Sequence, residues 1–196
     1  MKKGILKFSQ FNESIKNIDR NLVISDMFKR VDLDEFNEWV SHNGYEEINN
    51  DIKEHFLQDE YSITVDENGI IEFYDLPSSV EDIIGDNFVK LYHFTASKLK
   101  KSILEKGLIK GYVKTNPYMN SYLGVYLTTQ TSGAVINGYK YKIMQKHKSD
   151  VIQITVKMKL SEINPDDDDS DIESGKYQFY TDYIPPDRII EIEKTY

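Results

Sequence analysis

Apolar residues recur at helical spacing in the first part of the chain. In "DLDEFNEWVSHNG" Phe36, Trp39 and Val40 fall on one face, Asp32 or Asp34 is placed to cap the start, and Gly44 follows as a stop. "YEEINNDIKEHFLQD" puts Ile48, Ile52 and Phe56 at i, i+4 and i+8, a second amphipathic helix. The weaker pattern of "FSQFNESIKNI" fits one short helix before them. "YSITVDENGIIEFYDL" then changes period: two β-rich runs flank Asp66-Glu67-Asn68-Gly69, whose Asn-Gly pair suits the positive φ of a hairpin turn. "PSSVEDIIGD" reads as a short capped helix leading to a boundary near Asp86.

From Phe88 the elements shorten and strands dominate. "FVKLYHF" predicts a strand, and "SKLKKSILEKG" a helix with Leu99, Ile103 and Leu104 inward and Gly107 as its stop. A polar, tyrosine-rich loop with Tyr112, Tyr118 and Tyr122 leads to "GVYLTT", another strand, and "QTSGAVINGYKYKIMQKH" to a capped helix. "DVIQITVKM" is the clearest strand of the chain. An acidic loop, "NPDDDDSDIESG", precedes the strand "KYQFYTDYI", and "PPDRIIEIEKTY" turns into a last strand. The pattern therefore divides the chain into residues 1–87, mostly helical with one hairpin, and residues 88–196, an α+β domain of short strands.

Composition narrows the possibilities. With 196 residues, 39% hydrophobic and 29% charged, the chain has material for a core and a wet surface. No apolar run reaches the ~20 residues that cross a bilayer, and the N-terminal stretch holds no secretory signal, so a cytoplasmic protein without membrane partners is expected. The absence of cysteine excludes disulfides, thiolate metal sites and cysteine nucleophiles. The net charge of −9 is unevenly spread. Residues 1–87 carry 8 basic against 20 acidic residues, whereas residues 90–159 carry 13 lysines against only Glu105 and Asp150. That basic stretch suits phosphates, or else serves only to solvate a helix and hairpin edges.

Candidate chemistry concentrates in few residues. His42, His55, His93 and His147 have no metal-ligand spacing, and "DDDDS" lacks the glycine and distal glutamate of a calcium loop, so no metal is expected. No phosphate-cradling glycine motif or hydrolase elbow is present. His93 stands out because it sits at or near a strand end, where sites are commonly built. It is followed by a helix, a polar loop and the strand holding Tyr126.

That order, "LYHFT" then "GVYLTT" then a helix starting near Ser132, resembles the NAD-binding core of the diphtheria-toxin-type ADP-ribosyltransferases, the group that includes the poly-ADP-ribose polymerases. The "YHFT" form is also similar to the DarT toxins and the RNA 2'-phosphotransferases. The resemblance covers about residues 88–192 and implies a split β-sheet core with helices. It implies that His93 bonds the ribose beside nicotinamide, that Thr95 and the backbone of Phe94 hold the nicotinamide amide, and that the Tyr126 ring stacks on nicotinamide. Ser132 matches a helix-starting serine, and Tyr139 lies near a second stacking tyrosine. Such residue types fit the chemistry: breaking the nicotinamide–ribose bond passes through an oxocarbenium-like species, which demands an oriented ring and sugar.

The family's glutamate falls nearest Gln178, with Glu173 and Asp171 slightly earlier and Asp182 slightly later. Glutamine orients an acceptor by hydrogen bonding but is no base. The implied function is an NAD-dependent ADP-ribosyltransferase acting on a macromolecular acceptor, protein or nucleic acid, with NAD as substrate and Gln178 or Glu173 near that acceptor. Lys98, Lys100, Lys101, Lys110 and Lys114 are placed to meet the pyrophosphate or a nucleic-acid acceptor. The small size suits a toxin-like bacterial or phage effector, by fold-level analogy. Two alternatives stand beside it: a non-catalytic nucleotide- or partner-binding module with a degenerate site, and an RNA 2'-phosphotransferase-like enzyme.

Overall fold

The computed structural model describes residues 18–74, 76, 78–110, 124–165 and 179–195. These fall into two compact units, 18–90 with 159–161, and 91–158 with 162–195.

The first unit is built on side-chain caps and aromatic packing. Helix α1 (Arg20–Met27) starts where the Asp19 carboxylate accepts from the Asn21 N–H, and it buries Val23, Ile24 and Met27. After a 3-10 turn at Phe28–Arg30, the Asp32 carboxylate accepts from the N–H groups of Asp34 and Glu35 and opens α2 (Leu33–Asn43). Gly44 closes that helix at φ 71°, a backbone conformation that favours glycine. Asn49 caps α3 (Asn50–Tyr61). The helix thus begins two residues after Ile48, which is 53% exposed rather than an inward position. The Asn49 cap offers a hydrogen bond that one more apolar turn does not, and that sets the start.

Phe28, Phe36 and Phe56 meet edge to face, Phe28 and Phe36 at 4.6 Å between ring centres and Phe36 and Phe56 at 5.1 Å. Trp39 joins this nest against Phe56 at 5.4 Å. Arg20 ties α1 to the rest by an ion pair with Glu54 and a bond to the Val65 carbonyl. The hairpin β1 (Ile63–Val65) and β2 (Ile71–Phe73) turns on Asp66, whose carboxylate accepts from the N–H groups of Asn68 and Ile70, with Gly69 at φ 73°. Helix α4 (Ser78–Ile84) follows and buries Val80, Ile83 and Ile84. Strand β2 runs parallel to the start of β3 (Phe88–Ala96), Ile71 facing Val89.

The second unit contains the rest of β3, from Leu91 onward. A 3-10 turn at Ser97–Leu99 leads into α5 (Lys100–Lys106), which buries Ile103. Leu99 lies in that turn and is 40% exposed, not inward as helical spacing suggested, because the turn breaks the register before the helix begins. The remaining elements are β4 (Leu108–Ile109), β5 (Val125–Leu127), α6 (Ala134–His147), β6 (Val151–Lys159), β7 (Asn164–Pro165), β8 (Phe179–Thr181), β9 (Tyr183–Ile184) and β10 (Ile189–Lys194).

Strand β6 lies between β3 and β10, with β10 antiparallel to it. Every residue from Val151 to Val156 is buried, as expected of a strand covered on both faces. Phe94, Ala96, Ile136, Ile143 and Val151 form the core between β3 and α6. Separate small sheets join β4 to β9 and β5 to β8 and β7. Two backbone hydrogen bonds between Tyr92 and Thr128 link β3 to the residue that follows β5. The fold is therefore mixed α and β. The expected helix within residues 8–18 falls almost wholly outside the described residues.

Candidate functional site

Strands β3 and β5 meet beside His93. Tyr92 and Thr128 exchange both backbone bonds, at 2.8 and 3.0 Å. One residue further along β3, the His93 side chain takes over, its Nδ1 lying 2.9 Å from the Tyr126 carbonyl oxygen. A carbonyl only accepts, so Nδ1 carries the proton and donates. In the neutral ring Nε2 is then left with its lone pair. Burial disfavours the imidazolium and holds the His93 pKa below its ordinary value, against the opposing pull of the Tyr126 carbonyl. Near neutral pH this ring is therefore an oriented, uncharged acceptor.

Strand alternation sorts the neighbouring candidates. His93 and Thr95 share one face of β3 and are both half-buried, while Phe94 points the other way and is 1% exposed. The Phe94 ring belongs to the core with Ile136 and Ile143, so only its backbone is placed to act beside His93. Tyr139 packs against that same core cluster. Ser132 is exposed and does not cap α6. The cap position is Gly133 at φ 111°, with no side-chain bond, which corrects the expectation of a side-chain-capped start.

Tyr126 stands on β5 opposite Tyr180 of β8, the two rings 6.4 Å apart and tilted by 47°. His93, Tyr126 and Tyr180 thus come from three strands, and the His93 side chain reaches the Tyr126 backbone directly. Gln178, Glu173, Asp171, Lys114 and the tyrosines of the 112–123 loop lie outside the described residues. Asp182 is exposed and pairs with Lys110 at 2.8 Å.

Two residues were not singled out by the sequence, Tyr180 beside Tyr126 and Lys140 over Phe94 on the other face of β3. Tyr180 looks like any strand tyrosine until register sets it opposite Tyr126. Lys140 is the more unusual one: it is 6% exposed, with its Nζ 2.9 Å from the Thr131 carbonyl and 4.5 Å above the Phe94 ring centre. No carboxylate pairs with it among the described residues, and desolvation pushes its pKa below the ordinary lysine value. A lysine among the apolar positions of a helix is the only sequence signal of such a site, and it is weak because lysine stems often lie along apolar surface. No group of three or more histidine, aspartate or glutamate residues placed to hold a metal occurs among the described residues. No helix among the described residues is long and apolar enough to cross a membrane.

No family model matches the chain, and no curated protein matches it.

Proposed function

We propose that residues 88–196 are an NAD-dependent ADP-ribosyltransferase with a split-sheet core, in which His93 and Tyr126 hold the nicotinamide riboside end of NAD. The observation that carries this reading is the bond from His93 Nδ1 to the Tyr126 carbonyl. It joins the two residues across β3 and β5 and leaves the Nε2 lone pair to accept from a ribose hydroxyl. Thr95, on the His93 face, supplies a hydroxyl for the carboxamide, and the Tyr126 ring, with Tyr180 beside it, offers a flat apolar surface to the nicotinamide ring.

In the reaction the bond between the nicotinamide nitrogen and the ribose anomeric carbon breaks, and its electron pair leaves with nicotinamide. An acceptor oxygen or nitrogen then forms the new bond to that carbon and loses its proton to solvent or to a nearby base. Holding both ends of the scissile bond is the service these residues offer, and orientation of this kind lowers barriers by several kcal/mol, on the order of 7–11 in the best intramolecular models. Gln178 fits the orientation of the acceptor, and Glu173 the removal of its proton.

The test is incubation with labelled NAD and a panel of protein, DNA and RNA acceptors. Label transfer is expected from the wild type and loss of about a hundredfold or more from His93→Ala and Tyr126→Ala, the range expected when positioning groups are removed. NAD binding without turnover would instead support a degenerate binding module. No calorimetric NAD binding by the wild type overturns both.

A further inference from the structure

The outward face of α6 does not belong to this pocket. Its inward positions, Ile136, Lys140 and Ile143, are buried in the core, while Tyr141, Lys142, Gln145, Lys146 and Lys148 are exposed. Between Glu105 and Asp150 the chain has no acidic residue at all. The helix C-terminus attracts cations through its dipole, which accounts for Lys146 and Lys148. It does not account for Lys142 further back, nor for a tyrosine 58% exposed in their midst.

A second element adds to the same patch. The turn after β3 packs on the end of α6: the Ser97 and Ser149 hydroxyls lie 2.9 Å apart, and the Ser97 N–H donates to the Asp150 carbonyl at 2.8 Å. This seats Lys98 beside the helix end, its Nζ 3.3 Å from the His147 carbonyl. Burial and the charges of Lys98 and Lys146 hold the His147 pKa down, as expected where several cations converge. Asp150 is already paired with Lys194 at 2.9 Å. Lys142, Lys146 and Lys148 have no ion pair among the described residues.

From this juxtaposition we infer that the outer face of α6, with Lys98, is a binding surface for single-stranded nucleic acid, the lysines meeting phosphates and Tyr141 stacking on an unpaired base. Lysines interleaved with an exposed aromatic ring are the combination that single-strand binders use, because any base offers a flat face. An anionic membrane fits less well, since the apolar side of α6 is buried in the core and has nothing to insert. An acidic peptide would use the lysines but leave Tyr141 without a role. The surface shares none of the nicotinamide-facing residues His93, Thr95, Tyr126 and Tyr180; Lys98, which the resemblance also offers to the pyrophosphate, is left unchanged in the variants below, so the two readings are tested separately.

The experiment is fluorescence anisotropy with a labelled single-stranded thymidine oligonucleotide, without NAD, across a range of salt concentrations. Saturable binding that weakens with salt is expected. Lys142→Glu with Lys146→Glu should flatten the log–log salt dependence by about 0.7 for each phosphate that the variant no longer neutralises. Tyr141→Ala should weaken binding about fivefold or more with the salt slope unchanged. Lys29→Glu, an exposed lysine elsewhere, should have no effect, and circular dichroism should show each variant folded. Several results would overturn the inference: no binding at low salt, binding indifferent to the α6 variants, or a duplex, phosphatidylserine vesicles or polyglutamate bound as tightly as the single strand.

Discussion

His93 gains its meaning from one hydrogen bond. Donating Nδ1–H to the Tyr126 carbonyl fixes the tautomer, and burial keeps the ring neutral. Its folded pKa lies below the ordinary 6.5, so the folded state resists a proton that the unfolded chain accepts. The stability this group contributes is therefore complete above about pH 6.5 and is lost as pH falls from there through the folded value. A nitrogen-detected NMR titration should give a His93 midpoint below 6.5, and the stability gap between wild type and His93→Gln should narrow from pH 7 towards pH 5. A constant gap would show that the ring titrates like an exposed one. Lys140 offers a second measurement at this scale. Truncating its stem in Lys140→Ala should cost about 2 kcal/mol or more by denaturant unfolding, whereas Lys140→Met, which keeps the stem, should stay within about 1 kcal/mol of wild type. Neither property is visible in the sequence, because the partner of His93 is a backbone oxygen from a different strand and Lys140 resembles its solvated neighbours.

At the scale of elements, local chemistry explains most of what forms. Asp32 caps α2, Gly44 and Gly107 stop helices, and Asp66 with Gly69 turns the hairpin, each from residues adjacent in the chain. Asp32→Ala should lose about 1 kcal/mol, read by denaturant unfolding. Gly107 carries a further constraint that only the packing imposes. Its φ is +81°, and a Cβ there would stand 2.2 Å from the Ile184 carbonyl oxygen of β9. Gly107→Ala should destabilise by about 2–4 kcal/mol, from strain and the clash together. Where periodicity misleads, a competing local interaction is the reason. Ile48 gives way to the Asn49 cap, Leu99 to a 3-10 turn, and the run "KYQFYTDYI" yields two short strands, Phe179–Thr181 and Tyr183–Ile184, in different sheets. One run of alternating residues gives no hint that its halves choose different partners.

Over the whole molecule, charge is unevenly divided: residues 1–87 hold 20 acidic against 8 basic residues, and residues 90–159 hold 13 lysines against two acids. Trp39, the single tryptophan, has its ring neighbours Phe36, Tyr45, His55 and Phe56 all in the 18–90 unit. Its fluorescence should be unchanged in folded His93→Ala and Tyr126→Ala, and should shift to the red in Phe56→Ala, which empties the centre of the nest and costs about 3–5 kcal/mol. A shift in either site variant would mean that the substitution had disturbed more than its own site. The sequence by itself determined the change of pattern near residue 88, most helices and strands, the Asp32 cap with the Gly44 and Gly107 stops, the separation of acidic from basic stretches, and His93 and Tyr126 as a pair worth testing. All but the last depend on periodicity, turn chemistry and charge, which are properties of neighbouring residues; the pairing of His93 with Tyr126 is what the resemblance implies. The tertiary structure alone decided that His93 bonds the Tyr126 backbone, that Tyr180 stands opposite Tyr126, that Lys140 is enclosed over Phe94 and that Lys98 joins the outer face of α6. Each of these depends on strand register or on packing between segments far apart in the chain, and a local pattern does not encode which distant segment will be its partner.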